Sequence, residues 1–349
     1  MIKINSNLLS YIPKSLILDN PPYFIDSKIN TKEDIFLDNK KITDVITERI
    51  SPFGTHSTLI SLTRSNRPQM TLNVNKISRQ ESCLFDNLDK VAKPQKQLKG
   101  VYIAPNPFSF NPGYHDLIIT NDHIEVIKDI SKDHIENLIT TLFNRAKDLS
   151  IDKDVTNVNM GINFGTEKEK YPSGASQPHL HAQIGAIFKN GFLPLFSMRR
   201  IIEEHFSEQD IDYTGEYIKA IKSSKLAIKE SDNFILFAPF APRFKDEVHI
   251  LPKDINIPNL ISIKPSQITE LVSMLYNVIN TFKGENGSKL YIPSFNITFE
   301  GDEFKANNKT RMMVSIIPRQ SEIAYSELNS RFVIDRFPED TASYIKEWI

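Results

Sequence analysis

Apolar and polar positions follow the same order twice in the part of the chain after Gly100. Segments 101–122 and 233–254 each predict a strand, an Ala-Pro turn and a second strand that ends in a polar pair. The Ala-Pro pair at 238–239 comes 134 residues after the pair at 104–105. An amphipathic helix follows in each copy, because apolar residues recur there at helical spacing. The predicted helices span 131–150 and 266–282.

Each predicted helix is followed by two more strands. They span 155–164 and 179–188 in the first copy, and 294–299 and 313–318 in the second. Two strand–strand–helix–strand–strand units predict an α+β fold with tandem repeats and antiparallel sheets. We expect an N-terminal half over residues 1–230 and a C-terminal half over 231–349. The first 100 residues are polar and weakly periodic, with a short predicted strand at 57–62.

Composition narrows the class of protein. The chain has 349 residues, of which 42 are Lys or Arg and 43 are Asp or Glu, so its formal charge is −1. This balance argues against proteins that coat nucleic acids or membrane surfaces, which carry a basic excess. The single cysteine, Cys83, excludes an internal disulfide and an all-cysteine zinc site. No apolar run approaches the roughly 18 residues that span a bilayer, and no secretion signal is evident, so we expect a soluble, cytoplasmic protein.

The most informative segment is Ser173–Gln183, with the sequence SGASQPHLHAQ. On a strand, His179, His181 and Gln183 would project to one face, and the residues between them would cover the core. The preceding Gly174-Ala175-Ser176 is small enough to bring backbone N–H groups close to an anion. A neutral histidine beside an anion cradle suits nucleotidyl transfer, because imidazole attacks phosphorus near neutral pH and leaves readily afterwards.

Other interpretations of the two histidines remain open. A His-x-His pair on a strand is often a metal-binding pair or an exposed polar face. The second copy has Met313, Ser315 and Ile317 at the matching positions, so only one half carries histidines. This difference favours one chemical half and one structural half. His115 and His249 lie on comparable strands, and we assign them no chemistry. His134 is expected to be solvated.

The segment SGASQPHLHAQ resembles the active-site strand of the galactose-1-phosphate uridylyltransferase family, within the histidine triad superfamily. Further similarities occur in order along residues 45–345. They are Arg49-x-x-Pro52 and Arg64-x-x-Arg67-Pro68, Asn106-Pro107-Phe108, Asn163-Phe164-Gly165, the segment 237–252, and Ser326-Glu327-Leu328 with Pro338-Glu339. The resemblance implies tandem histidine-triad-like halves, with the catalytic histidines in the first half alone.

The resemblance also implies residue roles. His181 would attack the α-phosphorus of a nucleotide sugar and form a covalent nucleotidyl-His181 intermediate, while Gln183 and Ser176 hold phosphate oxygens. The other residues implied at the substrate site are Arg64, Arg67, Asn106, Asn163, Gly174, Ala175, Gln177 and Glu327. The first two would bind phosphate, Asn106 the nucleoside, Asn163 the phosphates and Glu327 a sugar hydroxyl. The family is generally dimeric, so we expect a homodimer.

Metal sites of the family are only partly matched. The resemblance aligns Cys83, Asp86, His123 and His179 with a structural metal site, and these residue types are acceptable zinc ligands. Alternatively, Asp86 marks the loss of the metal, and Cys83 is a buried apolar residue. A second metal site of many relatives needs histidines where Met313 and Ser315 stand, so we expect it to be absent. The chemistry itself requires no cofactor.

Three functions therefore remain open. The first is transfer of a nucleoside monophosphate from a nucleotide sugar to a sugar 1-phosphate. The second uses inorganic phosphate as the acceptor, as in nucleotide-sugar or dinucleotide phosphorylases. The third is a nucleotide-binding protein without turnover. Neither the base nor the sugar can be derived from the sequence.

Overall fold

The structure is a computed structural model that describes residues 25–30, 35–37, 40–42, 45–51, 57–60, 83–87, 96–106, 114–165, 169–175, 177–188, 194–284, 290–305 and 310–349. Its strands are β1 (Ile25–Asn30), β2 (Ile35–Leu37), β3 (Lys40–Ile42), β4 (Val45–Ile50), β5 (Ser57–Ile60), β6 (Lys96–Leu98), β7 (Val101–Pro105), β8 (His115–Thr120), β9 (Val155–Phe164), β10 (His181–Phe188), β11 (Ala227–Glu230), β12 (Phe234–Phe237), β13 (Val248–Pro252), β14 (Phe295–Glu300), β15 (Met313–Pro318) and β16 (Arg331–Ile334). Its α-helices are α1 (Lys132–Leu149), α2 (Pro194–Ser207), α3 (Tyr213–Ser223), α4 (Pro265–Thr281), α5 (Tyr325–Leu328) and α6 (Pro338–Lys346).

Ten strands form one antiparallel sheet with the order β11-β12-β13-β15-β14-β9-β10-β8-β7-β6. The order is symmetric about the contact between β9 and β14. Strands β10, β8 and β7 follow β9 outward, just as β15, β13 and β12 follow β14. The predicted repeat and the α+β class are therefore confirmed, with the two copies joined edge to edge in one sheet. The predicted strand at 179–188 begins two residues later, at His181.

Helices α1 and α4 cover one face of this sheet. Their apolar residues recur at helical spacing and pack in one large core with alternate residues of the central strands, among them Leu180, Ala182 and Ile184. Helix α1 begins with a capping box, in which Ser131 Oγ accepts from the backbone N–H of His134 and His134 Nδ1 accepts from that of Ser131. The expectation that His134 is merely solvated was therefore wrong.

The opposite face differs between the two halves. On the second half, α2 and α3 pack on the sheet with a separate apolar cluster that includes Phe237, Leu251 and Met313. On the first half, this face carries His181 and Gln183, beside a small cluster of Phe85, Leu117 and Ile119. The alternation predicted for the histidine strand is confirmed, because its apolar residues face the helices and its polar residues face away from them.

A second sheet, of order β1-β4-β5-β16, joins the beginning of the chain to its end, and β5 pairs in parallel with β16. Arg49 holds it to the second half. Its guanidinium donates to both carboxylate oxygens of Glu339, at 3.0 and 2.7 Å, and lies over the ring of Phe240. Arg49, the first residue of a family motif, thus ties the ends of the chain together. No helix in the described part of the chain is long and apolar enough to cross a membrane.

Candidate active site

The polar segment before β10 is held by bonds to the end of β9. Ser173 donates to the Gly165 carbonyl through its backbone N–H at 3.1 Å and through Oγ at 2.7 Å, and Ala175 N–H donates to Ser173 Oγ. Gly165 and Gly174 have φ of +97° and +84°, which L side chains rarely adopt. A Cβ on Gly165 would also lie 2.5 Å from Ser294. The described part of the predicted phosphate loop is thus fixed at its base, while Gly174 is exposed.

His181 is the first residue of β10 and is 1% exposed. Its Nδ1 donates to the carbonyl oxygen of His179 at 2.8 Å, which places the lone pair at Nε2. Burial lowers the pKa of His181 to about 4, an effect that the bond to the His179 carbonyl only partly opposes. The ring of Phe85 packs edge-on against it, with 4.9 Å between centroids. His181 is therefore a neutral imidazole of one defined tautomer, the state that a nitrogen nucleophile requires.

Gln183 follows on the same face of β10, and an unexpected histidine contacts it. Nε2 of His115 lies 3.2 Å from Gln183 Oε1 and 3.3 Å from Asn106 Nδ2. The backbone of Asn106 also donates to the His115 carbonyl at 2.7 Å. His115 is 4% exposed and thus links two residues expected to contact substrate. No chemistry was predicted for His115, and its contacts make it a neighbour of the predicted site.

Asn163 occupies the same face of β9 and lies directly across from Asn296 on β14. Asn296 Nδ2 donates to Asn163 Oδ1 at 2.6 Å and to the Ser173 carbonyl at 2.9 Å. An amide of the second half therefore reaches both a predicted phosphate ligand and the predicted phosphate loop. Asn296 carries no local signal in the sequence, since only the pairing of β9 with β14 brings it to the site.

Four possible metal ligands meet beside the histidine strand. One ligand atom from each of Cys83, Asp86, His123 and His179 lies within 4.8 Å of all the others. Asp86 Oδ1 is 2.9 Å from His123 Nδ1 and 3.2 Å from His179 Nδ1, and Cys83 Sγ is 3.8 Å from His179 Nδ1. A tetrahedral zinc ion with bonds of about 2.0–2.3 Å separates its ligands by roughly 3.3–3.6 Å, which is close to this spacing.

The tautomer of His179 also fits a metal. Its Nε2 donates to the Thr120 carbonyl at 2.8 Å, so the lone pair of Nδ1 faces the other three ligands. Burial is the largest influence on the pKa of His179 and lowers it, which favours the neutral form that binds metal. The donor set and its geometry therefore fit the implied zinc site. It is the one such cluster among the residues that the structure describes.

The remaining predicted site residues are placed as follows. Gln177 Oε1 lies 4.0 Å from Cys83 Sγ, on the approach to β10. Glu327 is in the short helix α5, where its Oε2 accepts from the backbone of Ala324 at 3.0 Å. Ser176, Arg64 and Arg67 lie outside the described residues.

The register of the sheet gives each predicted site residue on the histidine strand a counterpart in the second half. Ile162 pairs with Ile297 across the centre, and their outer neighbours are Ala182 and Ile316. The positions of His179, His181 and Gln183 therefore correspond to Met313, Ser315 and Ile317, as the sequence repeat predicts.

Comparisons with known proteins agree with this architecture. No protein-family model matches the chain. It is 24% identical over 246 residues to an ADP-glucose phosphorylase of Arabidopsis thaliana, and 29% identical over 168 residues to a galactose-1-phosphate uridylyltransferase of Thermotoga maritima. These segments cover 67% and 46% of this chain, and only 64% and 48% of the two relatives.

The fold is similar to that of a solved structure. A crystal structure of an ADP-glucose phosphorylase from Arabidopsis thaliana with bound ADP-glucose superposes with a TM-score of 0.70 at 20% identity, covering 86% of this chain and 98% of that one. The sequence similarities and the shared fold point to the same family that the motifs around His181 resemble. The chain is therefore related to the galactose-1-phosphate uridylyltransferase family.

Proposed function

We propose that the protein is a nucleotidyltransferase that acts on nucleotide sugars through a covalent intermediate at His181. Nε2 of His181 attacks the α-phosphorus and forms a P–N bond, while the P–O bond to the sugar 1-phosphate breaks and that product leaves. An oxygen of a phosphate-containing acceptor then attacks the same phosphorus. The P–N bond breaks, the nucleotidyl group moves to the acceptor, and neutral His181 is restored.

The state of His181 is the observation that carries this proposal. Its Nδ1 proton is held by the His179 carbonyl, and its lowered pKa keeps the ring neutral at physiological pH. Gln183 and Asn163 lie on the same sheet face and supply amide groups for phosphate oxygens. A neutral nucleophile beside amide donors, with Gly174 in an exposed loop, fits phosphoryl-group transfer better than a non-catalytic nucleotide site.

The acceptor is the second part of the proposal. The relative with the longer aligned segment is named for phosphorolysis of ADP-glucose, which favours inorganic phosphate. The second relative is named for uridylyl transfer to galactose 1-phosphate, which favours a sugar 1-phosphate. Both acceptors would use the same first step at His181, so one experiment can separate them.

Mass spectrometry of the intact protein tests the first step. The protein is incubated with ADP-glucose, UDP-glucose, UDP-galactose or GDP-mannose in the absence of acceptor. We expect a mass increase of one nucleoside monophosphate, and its size identifies the base. The adduct is then exposed to phosphate or to hexose 1-phosphate, and the acceptor that removes it is the substrate. Turnover without any adduct, or an adduct that persists in His181→Ala, would contradict the mechanism.

We also propose that Cys83, Asp86, His123 and His179 hold a structural zinc ion. Zinc would fix the His179 ring from one side, while the Thr120 carbonyl holds it from the other. Because the backbone carbonyl of His179 accepts the hydrogen bond from His181 Nδ1, a fixed His179 keeps the nucleophile in its tautomer and orientation. The ion itself takes no part in the transfer.

A homodimer is the proposed assembly. The segment around α5 exposes large apolar side chains, with Tyr325 82%, Leu328 77% and Ile323 49% exposed. Such a patch on a soluble chain is typical of an interaction surface, and a second copy is the partner that the family resemblance implies. Sedimentation of Tyr325→Lys beside the unmodified protein tests this: we expect a dimer that the substitution shifts to monomer, and a monomeric unmodified protein would contradict the proposal.

A further inference from the structure

Asn296 lies on β14 in the second half, yet its side chain is bonded to two parts of the candidate active site. One N–H of its amide donates to Asn163 Oδ1 at 2.6 Å, and the other donates to the Ser173 carbonyl at 2.9 Å. Asn163 is a predicted phosphate ligand, and Ser173 begins the loop that contains Gly174 and Ala175. The bonds thus connect the half without histidines to the catalytic half.

The two bonds fix which way each amide points. The Ser173 carbonyl can only accept, so the Asn296 atom that faces it is the NH₂ group. The Asn163 atom that faces this NH₂ group must then be its carbonyl oxygen. The Nδ2 group of Asn163 is left as the donor on the other side, which is the group that an anionic phosphate oxygen needs.

We propose that Asn296 is a positioning residue for nucleotidyl transfer, which ties the Asn163 amide to the base of the phosphate loop and so holds that amide in register with His181. The inference rests on the proposed function, because it assumes that a phosphate binds beside His181. A primary amide suits the task since it supplies two N–H donors from one nitrogen. An aspartate would face the Ser173 carbonyl with negative charge, and an alanine would leave Asn163 free to rotate.

A double-mutant cycle tests the proposal in the full-length protein. The measured quantity is the single-turnover rate constant for adduct formation at saturating nucleotide sugar, with the half-saturation concentration recorded separately. We expect Asn296→Ala to lower this rate constant about tenfold and Asn163→Ala to lower it at least as much. The variant with both changes should react at most about twofold more slowly than Asn163→Ala, because Asn296 acts through Asn163.

Asn157 provides the matched control. It lies on the same strand as Asn163, and its Nδ2 donates to the backbone carbonyl of Gly301 in the second half at 2.9 Å. Asn157→Ala therefore removes a bond of the same kind between the halves, away from the phosphate loop. We expect it to lower the melting temperature and to leave the rate constant unchanged. Asn296→Ser is the second variant should Asn296→Ala fail to fold, and a slower rate is expected for it as well.

The outcomes separate the two proposals. If the unmodified protein forms no adduct with any nucleotide sugar, the proposed function fails. If it forms an adduct and Asn296→Ala or Asn296→Ser reacts at the same rate, the positioning role fails while the function stands. The role also fails if Asn296→Ala slows the reaction by the same factor with and without Asn163, or if Asn157→Ala slows it equally.

Discussion

The two halves of the sheet have the same strand order but carry different side chains on the face opposite α1 and α4. In the first half this face carries His179, His181 and Gln183, and in the second half the corresponding positions are Met313, Ser315 and Ile317. Helices α2 and α3 pack on the second half and bury this face in an apolar cluster. The same backbone thus supports a candidate active site in one copy and a packed layer in the other.

The comparison shows that a buried histidine needs hydrogen-bond partners on the neighbouring strand as well as a place on the right face of the sheet. His179 Nε2 donates to the Thr120 carbonyl and also lies 3.1 Å from the Thr120 hydroxyl, Oγ1, which itself donates to the Leu180 carbonyl at 2.9 Å. In the second half, the register places Ile250 where Thr120 stands. The change from His179 to Met313 therefore comes with the loss of the neighbouring polar group, and an apolar cluster replaces a hydrogen-bonded one.

The largest expected effect separates the nucleophile from its counterpart. His181→Ala should lower turnover by at least about 10⁴-fold, because the proposed covalent intermediate forms on His181 alone. Ser315→Ala, at the corresponding position, should leave turnover unchanged. Ser315 Oγ is buried and has no hydrogen-bond partner in the described part of the chain, so its removal also costs little stability. Steady-state kinetics on both variants checks this, and equal losses would contradict the division of roles.

The next effect concerns the covered face. Phe237 pairs with His249 in the second half, and Tyr102 pairs with Ile119 at the corresponding place in the first half. Tyr102 is therefore the counterpart of Phe237. Phe237 is 0% exposed and packs with the residues of α3, so Phe237→Ala should lower the free energy of unfolding by about 3–5 kcal/mol.

Tyr102 is half-buried, and Tyr102→Ala should therefore cost clearly less. Urea unfolding of the two variants gives the difference. A larger loss in Tyr102→Ala would show that the face packed by α2 and α3 is not the more strongly stabilised one.

A substitution of a proposed zinc ligand in the first half should lower zinc content and stability, whereas a substitution at the corresponding position of the second half should change neither. His123 is 38% exposed, so His123→Ala breaks little packing, and the stability that a chelator removes from the unmodified protein but not from this variant reports on the metal. We expect bound zinc to fall from about one ion per chain to near zero, with a loss of about 2.7 kcal/mol when free zinc is a hundredfold above its Kd. Elemental analysis and thermal unfolding with and without chelator measure both.

Met313→Leu is the control for this experiment, since it preserves volume at the position that corresponds to His179. It should retain zinc and the response to chelator. A chelator response that survives in His123→Ala would place the metal elsewhere.

The repeat and the faces of the sheet could be predicted from the sequence for a physical reason. Strand alternation and helical spacing are local patterns, and His179, His181 and Gln183 lie within one strand and its approach. Cys83, Asp86 and His123 were reached through resemblance, and the structure brings them together.

Asn296 and His115 could not be found in this way. Each contacts a site residue on a different strand, so its role depends on the register between strands that are distant in sequence. Asn296 pairs with Asn163 across 133 positions, and His115 reaches Gln183 across 68. Arg49 shows the same limit, since its partner Glu339 is 290 positions away. Nothing local in the sequence predicts these contacts.

The smallest expected effect compares the two histidines on corresponding strands. His115 lies on β8 and contacts Gln183 and Asn106, whereas His249 lies on β13 and donates to Glu247 at 2.9 Å. His115→Ala should lower kcat/KM for the nucleotide sugar about fivefold to tenfold, the cost of one neutral hydrogen bond that orients Gln183. His249→Ala should leave kcat/KM unchanged and lower the free energy of unfolding by about 1–3 kcal/mol, because it removes a partner of the buried Glu247 carboxylate. Kinetics and urea unfolding on both variants separate the roles, and a loss of activity confined to His249→Ala would reverse the assignment of the two halves.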